Sequence, residues 1–103
     1  MASSKEYLEF VLDQLSDLSP MISYRAMMGE YLLYYRGKIF GGIYDDRFLV
    51  KPTASAKRMM PDALYECPYE GAKEMLSVDR IDDRDFLCDL LNAMVNELPD
   101  PRK

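Results

Sequence analysis

Residues 22–51 carry the strongest secondary-structure signal in the chain, and they read ISYRAMMGEYLLYYRGKIFGGIYDDRFLVK. Short runs of β-branched and aromatic residues alternate in this region with turn residues, a pattern typical of antiparallel strands. Pro52 follows the last run and ends it, because proline cannot donate a hydrogen bond to a strand ladder. The predicted elements are an extended segment over 22–28 and strands over 31–35, 38–44 and 47–51.

Two dipeptides, Arg36-Gly37 and Asp45-Asp46, are predicted to form the tight turns of this meander, since Gly and Asp adopt positive φ more readily than bulky residues. Gly41-Gly42 is unusual because glycine weakens strand interiors. The pair indicates a β-bulge or the close approach of another group to the backbone. A ligand, a partner or one of the chain's own helices would fit there, and we expect a helix.

A first helix is predicted before the strands. Ser3 followed by Glu6 forms a capping box, in which the two side chains satisfy backbone N–H groups at the helix start. Apolar residues then recur at three- and four-residue steps, and Pro20 ends the helix. The apolar stripe consists of Leu8, Val11, Leu12, Leu15 and Leu18.

After the β-rich region the pattern predicts a short helix over 55–60, strands over 64–69 and 74–79, and a long last helix. Asp82 or Asp83 is the expected N-cap of the last helix, because a carboxylate accepts hydrogen bonds from the first helical turn. The apolar stripe of this helix consists of Phe86, Leu87, Leu90, Leu91, Met94, Val95 and Leu98.

Together these elements predict one α+β domain over residues 1–103. Strands joined by tight turns pair antiparallel, and helices that bury one apolar face form a second layer. We expect a two-layer sandwich, an antiparallel sheet with helices on one face, in the order α-β(3)-α-β(2)-α. The chain lacks the roughly 20 consecutive apolar residues of a membrane span and a signal-peptide core, so no membrane association and a cytoplasmic location are expected.

The residue types argue against an enzyme. The chain has no histidine, the commonest general base near neutral pH and the commonest zinc ligand. Cys67 and Cys88 form no CxxC pair and are expected to be reduced thiols. The aspartates over 79–89 offer oxygen ligands, but Arg80 and Arg84 are interleaved with them, and carboxylates at a helix start favour its dipole. We therefore predict no catalytic, cofactor-binding or metal-binding residues.

Charge and tyrosines are unevenly distributed. The net charge is −5, yet residues 21–58 hold seven basic and three acidic side chains, whereas residues 61–103 hold five basic and eleven acidic ones. An acidic chain repels nucleic acid, so direct nucleic-acid binding is not expected as the main activity. The strand 31–35 is apolar on both faces. We consider three interpretations in order of preference: tyrosines at the edge of the core, a protein interface, and base stacking on nucleic acid.

Residues 25–51 resemble the N-terminal domain of the TfoX/Sxy family. The matching features are Arg25, a methionine–glycine turn ending at Gly29, a tyrosine-rich strand, the Gly37-Lys38 turn and a strand ending in Lys51. Met28 and Glu30 stand where the family has phenylalanine and a second glycine. The resemblance implies a two-layer fold of order α-β-β-β-α-β-β-α and a regulatory role, since the family's members are bacterial regulators of natural competence thought to act with a cyclic-AMP-dependent activator.

Regulators of that family carry a second, helical domain after this one, whereas this sequence ends shortly after Pro99. The expectation is therefore a stand-alone regulatory protein-interaction domain. The expected partner is a protein, such as a transcription regulator or part of the transcription machinery, and a homodimer is a further expectation. The alternatives are direct nucleic-acid binding by the basic meander, a small-ligand-binding domain and a metal-dependent enzyme. The candidate interaction surface consists of Arg25, Tyr34, Arg36, Lys38 and Lys51.

Overall fold

The computed structural model describes residues 4–18, 21–27 and 29–98, and within these ranges it contains three α-helices and six strands. In chain order they are α1 (Lys5–Gln14), β1 (Ile22–Met27), β2 (Glu30–Tyr35), β3 (Lys38–Ile43), β4 (Phe48–Val50), α2 (Ala54–Met59), β5 (Tyr65–Glu66), β6 (Met75–Ser77) and α3 (Arg84–Met94). Short 3-10 helices follow α1 and α3, at Ser16–Leu18 and Val95–Glu97.

The strands form one sheet in the order β1-β2-β3-β4-β6-β5, and all neighbouring pairs are antiparallel. The segment 22–28, predicted only as extended, contains the full strand β1, so four strands rather than the predicted three precede α2. Met28, the last residue of that segment, lies outside the described residues. The predicted strand over 64–69 is much shorter, since β5 has two residues and ends before Pro68, which cannot donate to a ladder. The predicted fold class, a two-layer α+β sandwich with an antiparallel sheet, is confirmed.

Both predicted tight turns have a left-handed backbone. Arg36 and Gly37 have φ of 54° and 80°, and Asp45 and Asp46 have φ of 54° and 56°. Two successive residues with positive φ match the twist of the strands that they join. The side chain of Asp46 also accepts a hydrogen bond of 2.8 Å from the backbone N–H of Ser4, which ties this turn to the start of α1.

The helices and one face of the sheet enclose the hydrophobic core. The β2 and β3 residues Leu33 and Phe40 are fully buried in the same cluster as Leu8 of α1 and Leu90 of α3. Most positions of the two predicted helical stripes belong to this cluster, whereas Leu12, Leu18 and Phe86 are partly buried beside it. The stripe residues that are buried in the core are Leu8, Val11, Leu15, Leu87, Leu90, Leu91, Met94, Val95 and Leu98.

The helix caps refine the predictions. The N-cap of α1 is Ser4, whose hydroxyl accepts a hydrogen bond of 3.1 Å from the backbone N–H of Tyr7. The predicted cap Ser3 and the predicted stop Pro20 lie outside the described residues. The N-cap of α3 is Asp83 rather than Asp82, because its carboxylate accepts a hydrogen bond of 3.1 Å from the N–H of Phe86.

The close approach expected at Gly41 and Gly42 comes from strands and a tyrosine ring, so the prediction of a helix there is wrong. A Cβ atom on Gly41 would collide with the backbone of β4, and one on Gly42 would lie 2.8 Å from Cε2 of Tyr44. The register of β2 against β3 also shifts beside Gly41, which confirms the predicted bulge. Glycine is required at these two positions because neighbouring backbone and ring atoms occupy the space of a side chain.

Candidate functional site

The face of the sheet that points away from the helices, called the groove face below, is only partly covered. The strand register aligns Arg25, Leu32, Gly42 and Leu49 in one row across this face. Leu49 is fully buried, yet it is not part of the core cluster on the helix side. This side of the sheet therefore has some cover of its own, and residues of the loop 67–74 between β5 and β6 lie on it.

A cavity of about 590 Å³, called the sheet cavity below, lies between this loop and the groove face. Its volume falls within the range of small-molecule binding sites, roughly 300–1,000 Å³. Most of its wall is apolar, and the sheet and the loop both contribute to it. Representative wall residues are Met27, Leu32 and Ile39 from the sheet and Pro68, Tyr69 and Ala72 from the loop.

Polar and aromatic contacts hold the loop in place. The rings of Tyr44 and Tyr69 have their centroids 6.1 Å apart. At the start of the loop, Arg47 forms an ion pair of 2.6 Å with Glu66. Within the loop, the thiol of Cys67 donates to the carbonyl of Ala72 at 3.1 Å. Burial beneath the loop raises the pKa of Tyr44, so its hydroxyl remains neutral.

Lys51 directly follows β4 and lines the sheet cavity. Its backbone N–H donates to the carbonyl of Phe40 at 2.8 Å, which fixes its position beside β3. Within the part of the chain that the structure describes, its ammonium group makes no hydrogen bond or ion pair. Burial lowers the pKa of Lys51, because the apolar wall solvates a positive charge less well than water does. Lys51 is thus a poorly solvated cation without a protein partner.

The structure distributes the five candidate surface residues over different places. Arg25 and Tyr34 lie on the groove face. Lys51 lies on the same face and lines the cavity. Arg36 lies in the β2–β3 turn, with its guanidinium carbon 5.3 Å from the centroid of the Tyr35 ring.

Lys38 belongs to the other face. It pairs with Tyr35, which is buried in the core, and neighbours across a sheet share a face. Its ammonium donates to the carbonyl of Val95 at 3.1 Å, just after α3. The five residues therefore do not form one continuous surface, because the turn reverses the chain and alternation then directs Lys38 towards the helices.

The sequence reasoning missed the loop side of the cavity. The rings of Tyr44 and Tyr69 contact each other in its wall, and Ala72 also lines it, but residues 67–69 of this loop were predicted as part of a strand. A usable signal was present in the strand 31–35, whose second apolar face required some cover. Pro68 and Gly71 mark the loop that supplies that cover, and Gly71 has a left-handed φ of 88°.

Outside the sheet cavity, metal-ligating groups and thiols are side chains to consider for a further site among the described residues. Among them, no group of three or more Cys, Asp or Glu side chains is arranged to hold a metal ion. Cys67 and Cys88 are both unpaired, and burial raises the pKa of the Cys88 thiol. None of the described helices has the length and apolar character needed to cross a membrane.

These features define the class: a small α+β domain with a partly covered apolar cavity on the helix-free face of its sheet. The chain is 33% identical over 105 residues to an uncharacterized 12.7 kDa protein in the trpE 5′ region of Spirochaeta aurantia. The match covers 99% of this chain and 89% of that protein, and the chain belongs to the same family. No family model matches the sequence, and no solved structure matches it.

Proposed function

We propose that this chain is a non-enzymatic, cytoplasmic regulatory domain that binds a protein partner through the groove face. The observation that carries the proposal is the incomplete cover of this apolar face. Met27 and Tyr69 border the cavity and expose 39% and 56% of their surface. Exposed apolar surface beside an arginine, here Arg25, is typical of protein interfaces. The regulatory role rests on the resemblance to the TfoX/Sxy family.

The placement of the basic residues supports a protein over nucleic acid as the partner. A nucleic-acid surface needs a continuous basic track along which phosphates can lie, with rings on which bases stack. Arg25 and Lys51 lie on the groove face, but Lys38 lies on the opposite face and donates to Val95. The basic track of the meander is therefore interrupted, whereas an apolar partner with acidic residues at its edge fits the groove face.

Site-specific photocrosslinking tests this proposal. A benzophenone amino acid replaces Tyr34 on the groove face or, as a matched control, Phe10, which is 39% exposed on α1. After irradiation in the protein's own cells, we expect one defined protein adduct from position 34 and none from position 10. Arg25→Glu should lower the yield at position 34, because it reverses the charge beside the interface.

The adduct also separates the alternatives. Identical adducts from both positions, or none from position 34, would contradict the proposed surface. An adduct that a nuclease removes would favour direct nucleic-acid binding. The regulatory role has its own test: cells that carry Arg25→Glu should reproduce the transcript changes of cells that lack the protein, provided that the variant accumulates to a normal level.

A further inference from the structure

We propose that the sheet cavity binds a small amphipathic anion, a molecule with an apolar body and one anionic head group that pairs with Lys51. This ligand is distinct from the protein partner proposed above, and the inference does not depend on that partner. It rests on three observations: the volume of the cavity, the composition of its wall and the half-buried position of Lys51, a cation without a protein partner among the described residues.

The volume and the wall indicate the body of the ligand. A space of about 590 Å³ accommodates a molecule of small-metabolite size rather than a folded segment of protein. Leu32 and Ile39 on the sheet side and Pro68 on the loop side offer apolar contacts. Tyr44 and Tyr69 add two aromatic rings, which favour a flat or chain-like apolar group.

The charges of the wall indicate the head group. Three charged residues line the cavity: Lys51 is half-buried, whereas Lys73 and Glu74 are exposed and of opposite charge. Lys51 therefore gives the wall a net positive charge. Its ammonium has no partner among the described residues, and a bound anion would supply one. Arg25 lies on the same face, opposite Leu32 in the strand register, and adds a positive field at the rim.

The same argument predicts selectivity against neutral ligands. A neutral apolar molecule would displace water from the Lys51 ammonium without replacing its hydrogen bonds, and this desolvation opposes binding. An anion of the same shape offsets that desolvation with an ion pair. The cavity should therefore discriminate between two ligands that differ only in the presence of the anionic group.

A matched pair of fluorescent probes tests this prediction. Anilinonaphthalene sulfonate has an aromatic body and one sulfonate, and phenylnaphthylamine has the same body without the charge. We expect saturable binding of one sulfonate probe per folded chain, and weaker binding of the neutral probe. Lys51→Met, which removes the charge and keeps the apolar stem, should weaken sulfonate binding about tenfold, as expected for the loss of one ion pair. It should leave binding of the neutral probe unchanged or tighter.

Two further variants make the result decisive. Lys57→Met removes an exposed lysine of α2, away from the cavity, and should change the affinity of neither probe. Ala72→Phe places a large ring in the wall of the cavity and should abolish binding of both probes, while circular dichroism shows that the fold is retained. Equal sulfonate affinity of Lys51→Met and the wild type would overturn the proposal, as would tight binding of both probes by a folded Ala72→Phe variant. Neither outcome would alter the photocrosslinking test of the protein partner.

Discussion

The two faces of the sheet carry the same residue types in opposite circumstances. On the helix side, Leu33 is packed in the core, and Tyr35 and Lys38 are hydrogen-bonded to α3 and the segment that follows it. On the groove side, Leu32 and Tyr34 are partly exposed, and Lys51 has no polar partner among the described residues. The difference shows that an apolar strand face is not by itself a sign of core. Completed packing and completed hydrogen bonds mark the helix side, whereas the groove face leaves part of its apolar surface exposed, which is why we propose it as the binding face.

The leucine pair should give the largest difference. Leu33 is fully buried in the core, whereas its neighbour Leu32 points into the sheet cavity and is partly exposed. Leu33→Ala should lower the free energy of unfolding by about 2–5 kcal/mol, and Leu32→Ala by about 1 kcal/mol or less, because little packing is lost on the open side. Urea unfolding followed by circular dichroism measures both. Equal losses would show that the loop packs on the groove face as tightly as the helices pack on the other.

The tyrosine pair tests the hydrogen bonds of the two faces. The hydroxyl of Tyr35 donates to Oδ1 of Asn92 in α3 at 2.7 Å, whereas the hydroxyl of Tyr34 has no partner among the described residues. Tyr35→Phe should lower the free energy of unfolding by about 1 kcal/mol, since it removes one hydrogen bond. Tyr34→Phe should change it by less than about 0.5 kcal/mol. A larger loss for Tyr34→Phe than for Tyr35→Phe would invert the assignment of the faces.

The lysine pair should give small effects of opposite sign. Lys38→Met removes the bond to the Val95 carbonyl and should lower the free energy of unfolding at neutral pH by about 1 kcal/mol. Lys51→Met should raise it slightly, because a charged ammonium is held in the folded cavity without a partner. Thermal unfolding at several pH values measures both effects.

The pH dependence of the Lys51 effect has a definite sign. Folding lowers the pKa of Lys51 from its ordinary value of 10.5, so the folded protein holds this proton less tightly than the unfolded chain does. The destabilisation is complete below the folded pKa and is relieved as the pH rises through it. The advantage of Lys51→Met should therefore shrink as the pH approaches and passes 10.5. An advantage that grows with pH would contradict burial of the charge.

Local signals in the sequence predicted most of the elements. Gly37 and the two aspartates at 45–46 marked the turns, and the leucine stripes marked both long helices, because turn chemistry and helical periodicity act over a few residues. The features that were missed depend on long-range register. β6 pairs with β5, its neighbour in sequence, and also with β4, which lies before α2 in the chain. The second pairing brings the loop 67–74 to the groove face. The side to which Lys38 points follows from its register with Tyr35, which no local pattern specifies.

The candidate site was only half predictable for the same reason. The sequence identified Arg25, Tyr34 and Lys51 as surface candidates, and the structure places all three on the groove face. The sequence did not indicate that these residues share their face with a cavity, because the loop that covers the cavity is distant from them in the chain. Tyr69 lies 25 positions after Tyr44, and only the fold brings the two rings together.

The strand order also has a consequence for the route by which the chain folds. β1 to β4 are neighbours in both sequence and sheet and are joined by short turns, so their pairing requires the closure of small loops and costs little chain entropy. β6 can join only after the chain has passed through α2, and β5 adds outside it. We expect the meander to assemble early and the cover of the cavity to arrive late. The ligand site would then exist only in the finished molecule, and occupancy of the cavity would report that folding is complete.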